Sequence, residues 1–336
     1  MSYKHLQLPG RRTFSAFTLG RMAVPALVLL AFGLGGCGKT GQRVIGVVPK
    51  GANHIFWQTV HAGAVKAGRE FGFEIEWNAP TLEIDASRQI GIIESMVNRR
   101  LAGIALAPVD RQALVGIVER AADERIPVAI FDSGIDTPRR IAYVATDNVE
   151  AGRMAARRMG EALGGKGKVA IIGFMPGSAS TMERESGFQD SLQLLYPEVT
   201  IVGMQFAMAD RAKAMAATEN LLNAHPDLAG IYADNESSSS GAVQALKSRK
   251  SKALLVAMDA SDQLIADMKA GYIDSIVVQN PFKMGYESVR AIALKIRGEG
   301  PLNASIDSGA MLIRPSDLDK PDVRALLYPG IEKYLK

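Results

Sequence analysis

Gly33-Leu34-Gly35-Gly36-Cys37-Gly38-Lys39-Thr40, running on into Gly41-Gln42-Arg43-Val44-Ile45-Gly46-Val47-Val48, is the stretch on which the reading of this chain turns. Its first eight residues satisfy two signatures. As G-x-x-x-x-G-K-[ST] they spell a phosphate-binding loop, which works only where the glycines leave a buried strand and open a helix whose N-terminal amides hold the phosphates. As Leu34-Gly35-Gly36-Cys37 behind an apolar run they spell the cleavage and lipidation site of a bacterial lipoprotein signal peptide.

The flanks decide between them. Upstream, Met22 to Leu34 is apolar, contains Pro25 and Gly33, and follows Arg11, Arg12 and Arg21 with no acidic residue before Cys37. That is a charged leader, a hydrophobic segment and a small-residue exit, not a buried strand. Downstream, Arg43 to Val48 is a β-branched run, a strand rather than the helix a phosphate loop needs. The expectation is therefore a signal peptide over 1–36, a lipidated Cys37 and a short tether over 37–42. Arg11-Arg12-Thr13-Phe14 also fits a twin-arginine motif, so either export route stays open.

Removing the leader changes the charge balance. The chain carries 39 basic and 35 acidic residues, and Lys4, Arg11, Arg12 and Arg21 are the only charged side chains before Cys37. The exported chain thus has 35 of each sign, and the sequence pI of about 9.1 gives no support to a nucleic-acid partner. Cys37 is the only cysteine, so no disulfide framework and no thiolate metal cluster is expected in the folded part. One apolar segment at the N-terminus implies a protein anchored to a membrane rather than spanning it.

Beyond Arg43 short β-branched runs alternate with longer amphipathic stretches. Strands are expected over 44–48, 73–77, 103–106, 128–131, 141–145, 169–172, 199–204, 230–232, 254–257 and 275–278. Helices are expected between them, for example over 57–70, 84–97, 114–123, 151–163 and 212–222. This alternation predicts α/β architecture with parallel sheets covered on both faces. Ten strands suit two smaller sheets in two lobes better than one wide sheet, with a single α/β barrel as the alternative. Several strands end in polar residues that open a helix: Asp132-Ser133, Thr146-Asp147-Asn148, Asp234-Asn235 and Asp259-Ala260-Ser261. Ligands gather at the carboxyl ends of parallel strands, so binding groups are expected there.

Landmarks in order strengthen this reading: Asn53-His54-Ile55-Phe56-Trp57, Ile126-Pro127-Val128-Ala129-Ile130-Phe131-Asp132, Thr146-Asp147-Asn148, Gly177 through Phe188, His225-Pro226-Asp227, Ala233-Asp234-Asn235-Glu236, Met258-Asp259 and Val278-Gln279-Asn280-Pro281. In this order the chain, from about 43 to 315, resembles the periplasmic sugar-binding proteins of ABC transporters, ribose-binding type. The resemblance implies a type I periplasmic binding protein fold, two doubly wound parallel-sheet lobes joined by a three-strand hinge. One lobe would comprise 43–146 and 280–307, the other 147–279 and 308–336.

Carried over position by position, the resemblance implies ligand-binding roles for His54, Phe56, Trp57, Asp132, Arg184, Asn235, Asp259 and Gln279. The set suits a sugar, because carboxylates and amides take neighbouring hydroxyls, a guanidinium donates several bonds, and aromatic rings cover the C–H faces. The ribose-binding pattern is interrupted at His54 in place of Asn, Ser133 in place of Arg, and Ala209 in place of an aromatic residue. The implied ligand is therefore a sugar or sugar-like polyol, with these departures counting against ribose itself. No cofactor and no metal are expected. The implied partners are an ABC transporter permease and the membrane that holds the anchor, and the implied state is a monomer in the periplasm or at the cell surface.

Each of these residues also has an ordinary structural reading. Phe56 and Trp57 suit a helix-start core, Asp132, Asn235 and Asp259 suit helix caps, and Arg184 suits an ion pair with Glu183 or Glu185. Other functions fit the sequence less well. A secreted enzyme on this architecture lacks a G-x-S-x-G elbow and an H-E-x-x-H motif, and His54 and His61 have no standard zinc spacing. A sugar-responsive repressor needs a helix-turn-helix where the leader stands. A receptor feeding a chemotaxis or sensor-kinase system remains the alternative to transport.

Overall fold

The structure, a computed structural model, describes residues 43–300 and 304–335. Cys37, the leader and the tether lie outside the described residues. The chain from Val44 builds two six-stranded sheets. The first holds β1 (Val44–Val48), β2 (Glu74–Trp77), β3 (Gly103–Leu106), β4 (Val128–Phe131), β5 (Ala142–Ala145) and β11 (Ala304–Asp307), in the order β11-β5-β4-β3-β1-β2. The second holds β6 (Lys166–Gly173), β7 (Glu198–Phe206), β8 (Leu228–Ala233), β9 (Leu254–Met258), β10 (Ser275–Gln279) and β12 (Ala310–Ile313), in the order β12-β10-β9-β8-β6-β7.

Helices cover both faces of each sheet because alternate strand residues must be buried on opposite sides. In β3 and β4, Ile104, Leu106, Val128 and Ile130 join one core cluster, while Ala105, Ala129 and Phe131 join the cluster on the other face. β8 and β9 repeat the division, with Ile231, Leu255 and Ala257 on one side and Tyr232, Val256 and Met258 on the other. The first sheet is flanked by α1 (Ile55–Phe71), α2 (Ala86–Asn98), α3 (Val115–Asp123) and α9 (Pro281–Ile296). The second is flanked by α4 (Asn148–Ala162), α5 (Ala179–Leu195), α6 (Arg211–Ala224), α7 (Glu236–Arg249), α8 (Asp262–Lys269) and α10 (Pro321–Leu327). Among the described residues no helix is long and apolar enough to cross a membrane.

Each lobe has one very close helix crossing made by paired glycines. A Cβ at Gly63 of α1 would lie 2.0 Å from the Phe282 carbonyl of α9, and one at Gly285 would lie 2.0 Å from the Val60 carbonyl. In the second lobe a Cβ at Gly152 of α4 would lie 2.1 Å from the Arg184 carbonyl, and one at Gly187 of α5 would lie 2.2 Å from that of Val149. Backbones touch there because no side chain intervenes, and the second crossing fixes the backbone of Arg184.

The ten expected strands are present, and two more complete the sheets at the hinge. β11 pairs parallel with β5, but β12 pairs antiparallel with β10, so the second sheet is not all parallel as expected. The reason is directional. β11 runs toward the cleft, and only Ser308 and Gly309 separate it from β12, so the chain enters the other lobe without reversing and runs away from the cleft. Between β5 and α4, β10 and α9, and β11 and β12 the chain passes from one sheet to the other. Hydrogen bonds tie these passages together: Thr146 Oγ1 lies 3.2 Å from Ser308 Oγ, and Lys283 Nζ donates to the Asp307 carbonyl at 2.9 Å.

One boundary differs from the expectation, which assigned all of 308–336 to the second lobe. α10 does bury Val323 in that lobe's core. The 3-10 turn Ile331–Lys333 instead lies on α1, where Arg69 donates to the carbonyls of Lys333 and Tyr334, each at 3.2 Å, and the Tyr334 ring meets Phe282 of α9. Gly330, at φ 68°, supplies the left-handed bend that turns the chain back. The termini of the fold thus add a fourth passage between lobes.

Candidate ligand-binding cleft

The strands of both sheets point their carboxyl ends at one another, and the residues that follow them line a cleft. Two aspartates define its symmetry. Asp132 follows β4 and its amide donates to Val144 O at 3.0 Å, while Asp259 follows β9 and its amide donates to Val277 O at 2.9 Å. Both hold left-handed backbone, φ 61° and 64°, which bends the chain so that the carboxylates turn into the cleft. Non-glycine residues accept such strain rarely, and aspartate more readily than most. Both side chains are buried, 4% and 5% exposed.

The wall contributed by the first lobe is electrostatically closed upon itself. Lys50, two residues past the end of β1, places its ammonium 2.8 Å from Asp132 Oδ2. His54, the residue before α1, sets Nδ1 2.8 Å from Glu83 Oε1, and the same oxygen accepts from Trp57 Nε1 at 2.8 Å. Burial alone would pull the His54 pKa down, yet hydrogen bonding and charge from Glu83, with a smaller contribution from Glu236, raise it above the ordinary histidine value. Phe56 meets Trp57 edge to face at 4.8 Å, giving this wall an aromatic surface.

The opposite wall is polar and incompletely paired. Arg184, in the first turns of α5, donates from Nε to Asn148 Oδ1 and from Nη1 to the Asp234 carbonyl, each at 2.8 Å. Asn235 caps α7 by accepting from Ser238 N, which places the serine run 237–240 in the first turns of that helix. Asp259 accepts from Gln279 Nε2 at 2.7 Å and from Glu236 N at 3.1 Å. Burial, the largest influence on each, pushes the carboxyls of Glu236 and Asp259 above the usual range. Arg184 Nη2, Glu236 Oε2 and Gln279 Oε1 are buried with no hydrogen-bond partner among the described residues.

Behind Arg184 sit two carboxyls that the cleft does not expose. Burial and the neighbouring Asp234 push Glu185 up to about 9, and burial raises Asp234 as well. Glu185 Oε1 and Asp234 Oδ1 are both buried acceptors without a donor among the described residues, so one proton shared between them satisfies both.

All eight residues singled out in the sequence line a single cavity of about 360 Å³, counted with the space open to solvent. The same cavity is lined by Lys50, Glu83, Phe174, Ser180, Thr181 and Glu236, which sequence reasoning did not select. Lys50 lies two residues past β1 and Phe174 directly follows β6, so the strand-end rule would have found them had it been applied to every strand. Glu83 lies in the long β2–α2 connection and carries no local signal. Two of the three breaks in the ribose-binding pattern have a counterpart among these residues. A cation stands beside Asp132 although Ser133 replaces the arginine, and Phe174 gives the cavity a third ring although Ala209 does not line it.

The arrangement fits the periplasmic binding protein domain family, which matches residues 45–300; the chain belongs to that family. Among curated relatives, a D-allose-binding periplasmic protein of Escherichia coli is 30% identical over 249 residues, 71% of this chain and 80% of the relative. A ribose import binding protein of Bacillus subtilis is 28% identical over 248 residues, 74% of this chain and 80% of its own. Among solved structures, a carbohydrate transporter solute binding protein of Agrobacterium radiobacter, in complex with D-arabinose, superposes with a TM-score of 0.83 at 30% identity. It covers 86% of this chain and 99% of its own. An ABC transporter solute binding protein of Agrobacterium vitis with bound D-fucose gives 0.82 at 32% identity, covering 85% and 100%.

Proposed function

We propose that this protein is an extracytoplasmic receptor that closes its two lobes on a neutral sugar or sugar-like polyol and delivers it to an ABC transporter permease. The observation that carries the reading is the set of buried, unpartnered donors and acceptors on the second wall, Arg184 Nη2, Glu236 Oε2 and Gln279 Oε1, facing aromatic rings and carboxylates across one cavity. Buried polar atoms are costly unless paired, and a ring of hydroxyls supplies partners of both kinds. His54, Phe56, Trp57, Asp132, Arg184, Asn235, Asp259 and Gln279 are the proposed ligand contacts.

Charge argues for neutrality. With His54 protonated the cavity lining holds three cations, Lys50, His54 and Arg184, against four carboxylates, Glu83, Asp132, Glu236 and Asp259. A phosphate or sugar acid would meet a negative excess. The four relatives and neighbours described above name neutral sugars: ribose, D-allose, D-arabinose and D-fucose. A binding role needs no chemistry at the ligand, and the reading assigns no catalytic residue.

The test is a thermal-shift screen of the purified protein against pentoses, hexoses and polyols, followed by calorimetry on the best ligand. A single class of neutral sugar should raise Tm, and Asp259→Ala should abolish that rise while the protein remains folded. Unchanged affinity in Asp259→Ala would remove the site assignment. Lipidation of Cys37 completes the proposed anchoring: metabolic labelling with a fatty acid should mark the wild type, and Cys37→Ser should lose both label and membrane association.

A further inference from the structure

The two lobes are joined on one side by the passages next to β5, β10, β11 and β12, which occupy one edge of each sheet. β1 and β6 lie near the opposite edges, and the residues after them make a second junction far from the hinge. The segment Gly177 to Ser180, between β6 and the first turn of α5, is gripped there by three elements of the first lobe. The Arg111 amide donates to Gly177 O at 3.0 Å, the Ser180 amide donates to Ser133 Oγ at 3.1 Å, and the Lys50 ammonium donates to Ser178 Oγ at 3.3 Å and to Ser180 Oγ at 3.2 Å.

We propose that Lys50 and the Gly177 to Ser180 turn form a latch that holds the lobes together independently of any ligand, with Lys50 as its positioning residue. The inference goes beyond the sugar-receptor reading, which requires only ligand-driven closure. The Lys50 ammonium stands 2.8 Å from Asp132 Oδ2 on its own lobe as an ion pair and donates to two serine hydroxyls on the other. Lys50, Ser133, Ser178 and Ser180 are all at most 4% exposed, so lobe contact takes this charge out of water and gives it an ion pair and two hydroxyl acceptors in exchange.

Gly177 fits the same purpose. Its φ of 92° is a conformation that glycine adopts freely, and a Cβ there would lie 2.1 Å from Asp110 Oδ2 of the first lobe. Gly177 does not line the sugar cavity, so the latch is addressable without touching the proposed ligand contacts. Energetically the latch sets the fraction of molecules already closed. Apparent affinity for a ligand that binds the closed form scales with that fraction.

The experiment is a distance measurement between spin labels at Glu94→Cys and Asp190→Cys, both exposed, in a Cys37→Ser background without sugar. The expected result is a closed population in the parent that falls at least fivefold in Lys50→Met, in Ser178→Ala/Ser180→Ala and in Gly177→Ala, and that Lys50→Arg partly restores. A parent with no closed population, or variants that close as the parent does, would overturn the latch. Should Lys50→Met fail to fold, the serine and glycine variants carry the test alone. Sugar affinity in Gly177→Ala is then expected to drop by the factor lost from the closed population. The distance readout uses no sugar, so its failure leaves the sugar assignment standing. A protein that closes through Lys50 yet binds no sugar would do the reverse.

Discussion

Asp132 and Asp259 occupy equivalent places in the two lobes, each following a central strand in left-handed backbone with its amide tied to the neighbouring strand. Their surroundings differ. Asp132 is neutralised by Lys50, and the rest of its wall is paired through His54, Glu83 and Trp57. Asp259 has an amide and a backbone N–H for partners, and its wall retains unpartnered atoms on Arg184, Glu236 and Gln279. One fold repeated twice thus yields a wall held mainly by ion pairs, with Asp132 Oδ2 its one buried acceptor lacking a hydrogen bond among the described residues, and a wall that leaves both donors and acceptors open. The first supplies rings and a fixed electrostatic frame, and the second supplies the open donors and acceptors.

The sharpest way to break this comparison is Arg184→Ala. It strips the open wall of its guanidinium and leaves Asn148 Oδ1 and the Asp234 carbonyl without their donor. Sugar affinity should fall by at least ~100-fold, about 3 kcal/mol. Calorimetry showing less than a few-fold loss would mean that the open wall is not the specificity wall. Next in size are the paired crossings. Gly63→Ala and Gly152→Ala should each lower unfolding free energy by about 1–3 kcal/mol in denaturant titrations. Only Gly152→Ala, which presses on the Arg184 carbonyl, should also weaken sugar binding. Equal binding losses in both would erase the asymmetry.

Glu83→Gln probes the closed wall, and we expect about a tenfold loss of affinity, since the ring surface shifts but the open donors stay. It also has a signed pH effect. The His54 pKa is raised in the folded protein, so its pairing contributes stability that is complete below the ordinary histidine value and is lost as pH rises through the raised value. Denaturation curves from about pH 5 to pH 9 should fall less steeply in Glu83→Gln than in the wild type. The smallest effect on sugar binding is expected behind Arg184. Glu185 titrates far above an unfolded glutamate, so folded molecules hold an extra proton and stability falls as pH rises between the ordinary glutamate value and about 9. Glu185→Gln supplies a permanent donor to Asp234 and should flatten that fall, which linkage puts on the order of 2–3 kcal/mol between pH 6 and pH 8. A wild-type curve already flat in this range would remove the shared proton from the account.

The central strands were legible because strands buried on both faces must be apolar throughout, as in Gly103–Leu106 and Val128–Phe131, each buried along its whole length. The edge strand Glu74–Trp77 is partly exposed but still stands out by its β-branched and aromatic residues, whereas β11 (Ala-Ser-Ile-Asp) and β12 (Ala-Met-Leu-Ile) carry little such signal and owe their pairing to partners distant in the chain. The strand-end rule and the family resemblance together reached both aspartates, Arg184, Asn235 and Gln279. They missed Glu83, which reaches His54 and Trp57 from a loop with no pattern of its own.

By itself the sequence determined the alternation of strands and helices and the polar residues at strand ends, because periodicity and capping chemistry are local properties. Which carboxylate is paired and which wall stays open was decided only by the tertiary structure. The ion pair of Lys50 with Asp132, its bonds to Ser178 and Ser180, and the return of Ile331–Lys333 onto α1 join residues far apart in the chain. No local pattern records those distances; only the packing of the two sheets brings the partners together.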